Sequence, residues 1–153
     1  MSGNFPGRRT EGGISMLDEE EVLEAVSFDL LARGYGVVRK GEEDRREVDL
    51  VARDPVSGLR ILISAAGSAR SKAGRGRLEA QYTEAQVFRS IMRGVHSALR
   101  LRKTDEFRPG DQIGLAFPDV PAIRKYLSAE KPVMDALNVK IFLVTGEKKV
   151  VTF

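Results

Sequence analysis

The chain of 153 residues has no cysteine and a single histidine. Without thiols it can form neither disulfides nor thiolate metal sites. His96 has no second imidazole to complete a histidine pair at metal-ligand spacing, and a surface or helix-packing role is the simpler reading. Long hydrophobic runs are missing too. The longest fall far short of the roughly 18 apolar residues that a membrane helix requires, so no membrane partner is expected. Residues 1–14 contain Arg8 and Arg9 with no apolar stretch behind them. They read as a flexible tail rather than a secretory signal. The lack of cysteine fits a reducing, cytoplasmic setting. Excess charge of one sign is small, at +3, and on its own identifies no partner.

What is present is a composition of 42% hydrophobic and 31% charged residues, enough for one domain with a full core, over residues 15–153. Val22, Val26 and Leu30 recur at i, i+4 and i+8, which predicts an amphipathic helix over residues 17–33. Ser15 or Asp18 can cap it, Asp18 together with Glu21, and Gly34 sits where a left-handed C-terminal cap belongs. Val48, Leu50 and Ala52 alternate as in a strand, and Asp54-Pro55-Val56-Ser57-Gly58 has turn chemistry. Residues 59–65 are apolar at nearly every position, as in a central strand. A long helix is predicted over residues 77–103, weakened locally by Gly94 within it. Further strands follow over residues 112–117 and 139–144, and a closing strand over residues 149–153. Between them a helix begins with Asp119 as N-cap and is broken or restarted by Pro132.

Charge is segregated along the chain. Residues 70–108 hold ten basic and four acidic side chains, a net of +6. A basic segment of this kind is the footprint expected of phosphate contact, and a solvated helix face is the plainer alternative. Within it, Arg70, Lys72, Arg75, Arg77, Arg89 and Arg93 are the candidate nucleic-acid contacts. Gly74-Arg75-Gly76-Arg77 could cradle a phosphate but lacks the lysine pattern of a P-loop, which argues against nucleotide binding of that type.

The acidic strand Glu47-Val48-Asp49-Leu50-Val51-Ala52, the following turn and the segment Leu62-Ile63-Ser64-Ala65-Ala66-Gly67, in this element order, resemble the restriction-endonuclease-like, PD-(D/E)xK, nuclease superfamily. The resemblance covers residues 17–144. It implies an α/β fold with an αβββαβ core, a mixed central sheet flanked by helices, and a site on the second and third strands. Asp49 would stand at the first acidic metal ligand. Ser64 would stand at the second carboxylate and Ala66 at the lysine. Glu20 or Glu24 would be the helix-one glutamate, so that Asp49 and Glu24 are the metal ligands if a site survives.

The chemistry shows what those two replacements remove. Magnesium takes oxygen ligands, activates water and stabilises charge on the scissile phosphate. Ser64 withholds one negative charge and a strong ligand, and Ala66 withholds a cation. Each such loss typically costs roughly 10²–10³ in rate. The expectation is therefore a catalytically degenerate nuclease-fold domain that needs no cofactor and binds nucleic acid, DNA in the first place, or acts as a scaffold. One alternative is an active magnesium-dependent nuclease in which Lys72 and Glu79 have migrated into the site. Another is a protein-interaction or homodimerisation module. The structural alternative for Asp49 is a strand-end acid bonded to backbone or paired with Arg60. For Ser64 and Ala66 it is a packing site of small residues.

Overall fold

The computed structural model describes residues 17–39, 48–66 and 84–153. Its elements are α1 (Glu19–Ala32), β1 (Gly36–Arg39), β2 (Leu50–Arg53), β3 (Arg60–Ala65), α2 (Glu84–Leu101), β4 (Gln112–Pro118), α3 (Pro121–Ala136), β5 (Val139–Val144) and β6 (Val150–Thr152). The strands form a single sheet in sequence order, from β1 at one edge to β6 at the other. The β1–β2 and β2–β3 pairs are antiparallel, β3–β4 and β4–β5 are parallel, and β5–β6 is again antiparallel. The parallel pairs are those joined by helices, because a tight hairpin cannot connect parallel strands. The chain is thus α/β with a mixed six-stranded sheet.

Alternation along the strands produces two cores, one on each face. Ile61, Ile63 and Ala65 of β3 pack with Val22, Val26 and Leu30 of α1, and with Phe142 and Val144 of β5. On the opposite face, Leu62 packs with Ile113, Leu115 and Phe117 of β4 beneath α2 and α3. The central strands are apolar on both sides for this reason.

Local signals account for most of the boundaries. Asp18 and Glu21 form a reciprocal capping box. The Glu21 N–H donates to Asp18 Oδ1 at 2.8 Å, and the Asp18 N–H donates to Glu21 Oε1 at 2.9 Å. Gly34 closes the helix at φ 92°. Asp54 organises the β2–β3 turn, its Oδ1 accepting from Val56 N–H at 2.8 Å. Gly94 does not weaken α2. A Cβ there would lie 3.3 Å from Phe117 Cζ and 3.4 Å from Leu115 Cδ1, so glycine is what allows α2 this close to β4.

Two features of α3 correct the sequence expectation. Val120, not Asp119, is the N-cap, with no side-chain capping bond and a proline in the first turn. Asp119 instead pairs with Arg124, whose Nε donates to Oδ1 at 2.6 Å. Pro132 neither breaks nor restarts the helix, which runs unbroken through it. It lies on the solvent side, where water can satisfy the carbonyl it leaves unbonded, while Leu127 and Met134 anchor the helix on either side of it.

Candidate nucleic-acid interface

Asp49, just before β2, lies at the carboxyl-terminal end of β3, where its charge acts on Glu19 in the first turn of α1, on which Arg93 of α2 acts with the opposite sign. Backbone pairing fixes Asp49: its N–H donates to Ile63 O at 2.8 Å. Its carboxylate then reaches along β3, and Oδ2 accepts from the Ala65 N–H at 3.0 Å. The side chain thereby acts as the acceptor for that strand group, just before β2 begins at Leu50. Asp49 is therefore a strand-end acid bonded to backbone, and Arg60 is not its partner.

Arg60 lies at the opposite end of β3 and is bolted to Asp111. Its Nε and Nη2 donate to Oδ1 and Oδ2 at 3.1 and 2.5 Å, and Nη2 also reaches Glu106 O at 2.8 Å. The Arg108 N–H donates to the same carboxylate at 2.8 Å. Burial pushes the Asp111 carboxyl up, but the Arg60 bonds and the Arg108 N–H outweigh it and hold the group below the usual carboxylate range. This cluster joins the start of β3 to the connection before β4 and takes no part at the other end of the strand.

Ser64 and Ala66 alternate with Ala65 and so share the face of Leu62, toward α2. Ala66 packs against the core beneath α2 and α3, and its N–H donates to Ala116 O at 2.9 Å. The position is a packing site for a small side chain. Ser64 is half-buried two residues earlier.

The α1 carboxylate that senses Asp49 is Glu19. Although its surface is exposed, desolvation raises its carboxyl pKa. The negative charge of Asp49 adds to the rise and Arg93 opposes it. Glu20 and Glu24 are also exposed. Capping by Asp18 makes Glu19 the first helical residue, and this phase was the signal by which Glu19 could have been preferred over its neighbours. Among the described residues no group of three or more acidic or histidine side chains is placed to hold a metal ion. Arg70, Lys72, Arg75, Arg77 and Glu79 lie outside the described residues, as does Glu47.

The long helix supplies the basic surface. Arg89, Arg93, His96 and Arg100 follow one another at spacings of four, three and four residues, which places them within an arc of about 60° on the helix. All four are exposed. Val87, Ile91 and Ala98 occupy the buried side. Phe88, Met92 and Leu99 form a separate exposed apolar row, 52%, 39% and 43% accessible. Phe88 turns this row toward α3, meeting Tyr126 edge-on with ring centroids 6.1 Å apart. The two rows thus occupy different sides of α2, and the interaction between Arg93 and Glu19 links the basic one to the Asp49 end of β3. No described helix is long and apolar enough to cross a membrane.

Among the described residues the fold is an α/β domain with a mixed six-stranded sheet, one helix on one face and two on the other. No family model and no curated protein matches the sequence. In three dimensions the chain is similar to the crystal structure of an FdxN element excision controlling factor protein from Anabaena variabilis. The TM-score is 0.50 with 12% identity, covering 86% of this chain and 96% of that one. At that identity the likeness is one of fold.

Proposed function

We propose that this chain is a restriction-endonuclease-like domain that has lost phosphodiester cleavage and retains binding to nucleic acid, DNA in the first place. The observation that carries the reading is the basic row of α2, together with a strand end whose acid accepts a backbone N–H. Arg89, Arg93 and Arg100 present three permanent cations along one line, the arrangement that neutralises successive phosphates. At the end of β3, the Asp49 carboxylate accepts the Ala65 N–H, Ser64 offers no charge, and Ala66 is packed. Among the described residues such a site gives a magnesium ion few of the anionic oxygens it prefers. Among the described residues the position of the lysine is held by Ala66, which cannot offset charge on the attacked phosphate.

The reading is tested by titrating labelled duplex, branched and single-stranded DNA, and RNA, with the protein at two salt concentrations. The expected result is binding that weakens steeply with salt. The same mixtures incubated with magnesium or manganese should yield no cleavage product. Product that forms with wild type and disappears in Asp49→Ala would instead establish an active nuclease with migrated groups. Absence of binding at low salt would remove the nucleic-acid reading.

A second reading has its own support. The row of Phe88, Met92 and Leu99, with Val133 of α3 49% accessible, is an apolar surface suited to protein contact or homodimer formation. It predicts concentration-dependent mass by analytical ultracentrifugation, abolished by Phe88→Ser with Leu99→Ser, and no dependence on Arg89 or Arg100.

A further inference from the structure

We infer that the exposed apolar row of α2 receives unpaired nucleobases while the arginine next to each of its members holds a phosphate, so that the preferred ligand is a single strand of nucleic acid rather than a duplex. This deepens the nucleic-acid reading above by naming its substrate class, and rests on it.

One pair of residue types recurs along α2. Phe88 is followed by Arg89, Met92 by Arg93 and Leu99 by Arg100. Consecutive residues of a helix stand about 100° apart at nearly the same height. Each pair therefore sets an apolar side chain beside a guanidinium, three times along the helix. All six residues are exposed. Phe88 keeps 52% of its surface accessible although its ring meets Tyr126 of α3 edge-on. That contact steadies the ring without covering it. The surface suits a polymer that carries an anion on every unit and a flat group beside it. Unpaired nucleotides have this form: cations track their backbone, and their bases stack on aromatic side chains whatever the sequence.

A duplex does not match both rows. It presents its bases only as edges in the grooves, and the major groove, about 12 Å wide, admits one helix. The apolar row lies on the α3 side of α2, where Phe88 meets Tyr126, and two packed helices measure about 20 Å across. α3 therefore keeps the apolar row from the groove floor, whereas the arginines, farther from α3, still reach the phosphates of a duplex. A second copy of the chain is a poorer fit as well. The one carboxylate of α2 is Glu84, which lies 3.7 Å from Lys125 of α3. The α2 of a second copy laid on this row brings no line of anions to the three arginines, and it brings three more arginines close to them.

The chain contains no tryptophan, so Phe88→Trp introduces a single fluorescent indole and keeps a stacking surface. Wild type, Phe88→Ala, Phe88→Trp and Arg89→Ala/Arg93→Ala/Arg100→Ala are titrated with a labelled single strand of DNA, the same sequence as RNA, and the DNA duplex with its complement. Anisotropy is followed over a salt series, and thermal melts check that each variant is folded. Single strands should bind more tightly than the duplex. Loss of one stacked base costs about 5–150-fold in affinity. Phe88→Ala should weaken single-strand binding by that factor with an unchanged salt slope, because no phosphate contact is lost, and should leave duplex binding as it was. Phe88→Trp should keep the wild-type affinity, its indole quenched by single strands and not by the duplex. The triple arginine variant should weaken both. Either strand behaving in this way upholds the inference, and the tighter of the two names the ligand as DNA or RNA. A duplex bound more tightly than both strands, or a Phe88→Ala effect that is absent or equal for strand and duplex, would overturn it while leaving nucleic-acid binding intact. Indole emission that follows protein concentration alone, with a dimer in analytical ultracentrifugation that Phe88→Ala dissociates, would give the row to a second copy and overturn it equally. No binding of any nucleic acid, even at low salt, would overturn this inference together with the nucleic-acid reading.

Discussion

At the scale of single residues, Asp49 has two separable duties, one structural and one electrostatic. Its Oδ2 satisfies the Ala65 N–H, and a buried donor left without an acceptor costs about 1–3 kcal/mol. Asp49→Ala should therefore lower the unfolding free energy by that amount in urea denaturation. Asp49→Asn keeps an acceptor oxygen and should lose clearly less. Equal losses would show that the hydrogen bond is not what makes the residue matter to the fold. Asp111 carries a larger share of stability. Removing one partner of a buried ion pair costs about 3–5 kcal/mol, and Asp111→Ala leaves the Arg60 guanidinium, with only 11% of its side chain exposed, facing an empty position. The sign of the pH dependence follows from the lowered carboxyl pKa. The contribution is fully present above the unfolded value of about 3.9 and is lost as pH falls through the lower folded value. Denaturation at a series of pH values should show a constant gap between wild type and Asp111→Asn near neutrality, closing below about pH 4.

At the scale of elements, the helices and strands with strong local signals were legible in the sequence. The capping box at Asp18, the left-handed Gly34, the turn residues from Asp54 to Gly58 and the apolar run of β5 each carry their instruction within a few residues. Pro132 and Asp119 were not legible, because the outcome depends on neighbours distant in sequence. Leu127 and Met134 hold α3 across the proline, and Arg124 takes Asp119 away from the cap. Gly94 was read as a weakness because the close approach of Phe117 and Leu115 cannot be seen locally. Gly114 shows the same dependence. A Cβ there would lie 3.0 Å from both Ile63 Cγ1 and Phe142 Cε2. Overpacking of this kind typically costs about 1–3 kcal/mol, so Gly114→Ala should lower the thermal midpoint measurably. An unchanged midpoint would show that the Ile63 and Phe142 side chains yield without strain.

At the scale of the whole molecule, the sheet sorts chemistry by position. One end of β3 holds the Arg60–Asp111 bolt and the other holds Asp49, Ser64 and Ala66, with Glu19 of α1 sensing the charges of both Asp49 and Arg93. The sequence pointed to Asp49, Ser64, Ala66, Arg89 and Arg93. It did not select Glu19 from three successive glutamates, nor did it join His96 and Arg100 to a single row, because both assignments depend on helix phase and on which face is buried. The central claim is that this row meets a phosphate backbone. Its most direct test is the salt dependence of duplex DNA binding by wild type and by Arg89→Ala/Arg93→Ala/Arg100→Ala. Loss of three phosphate contacts predicts a slope shallower by about 2.7 and an affinity lower for every DNA sequence tried. A folded triple variant with the wild-type slope and affinity would contradict the account.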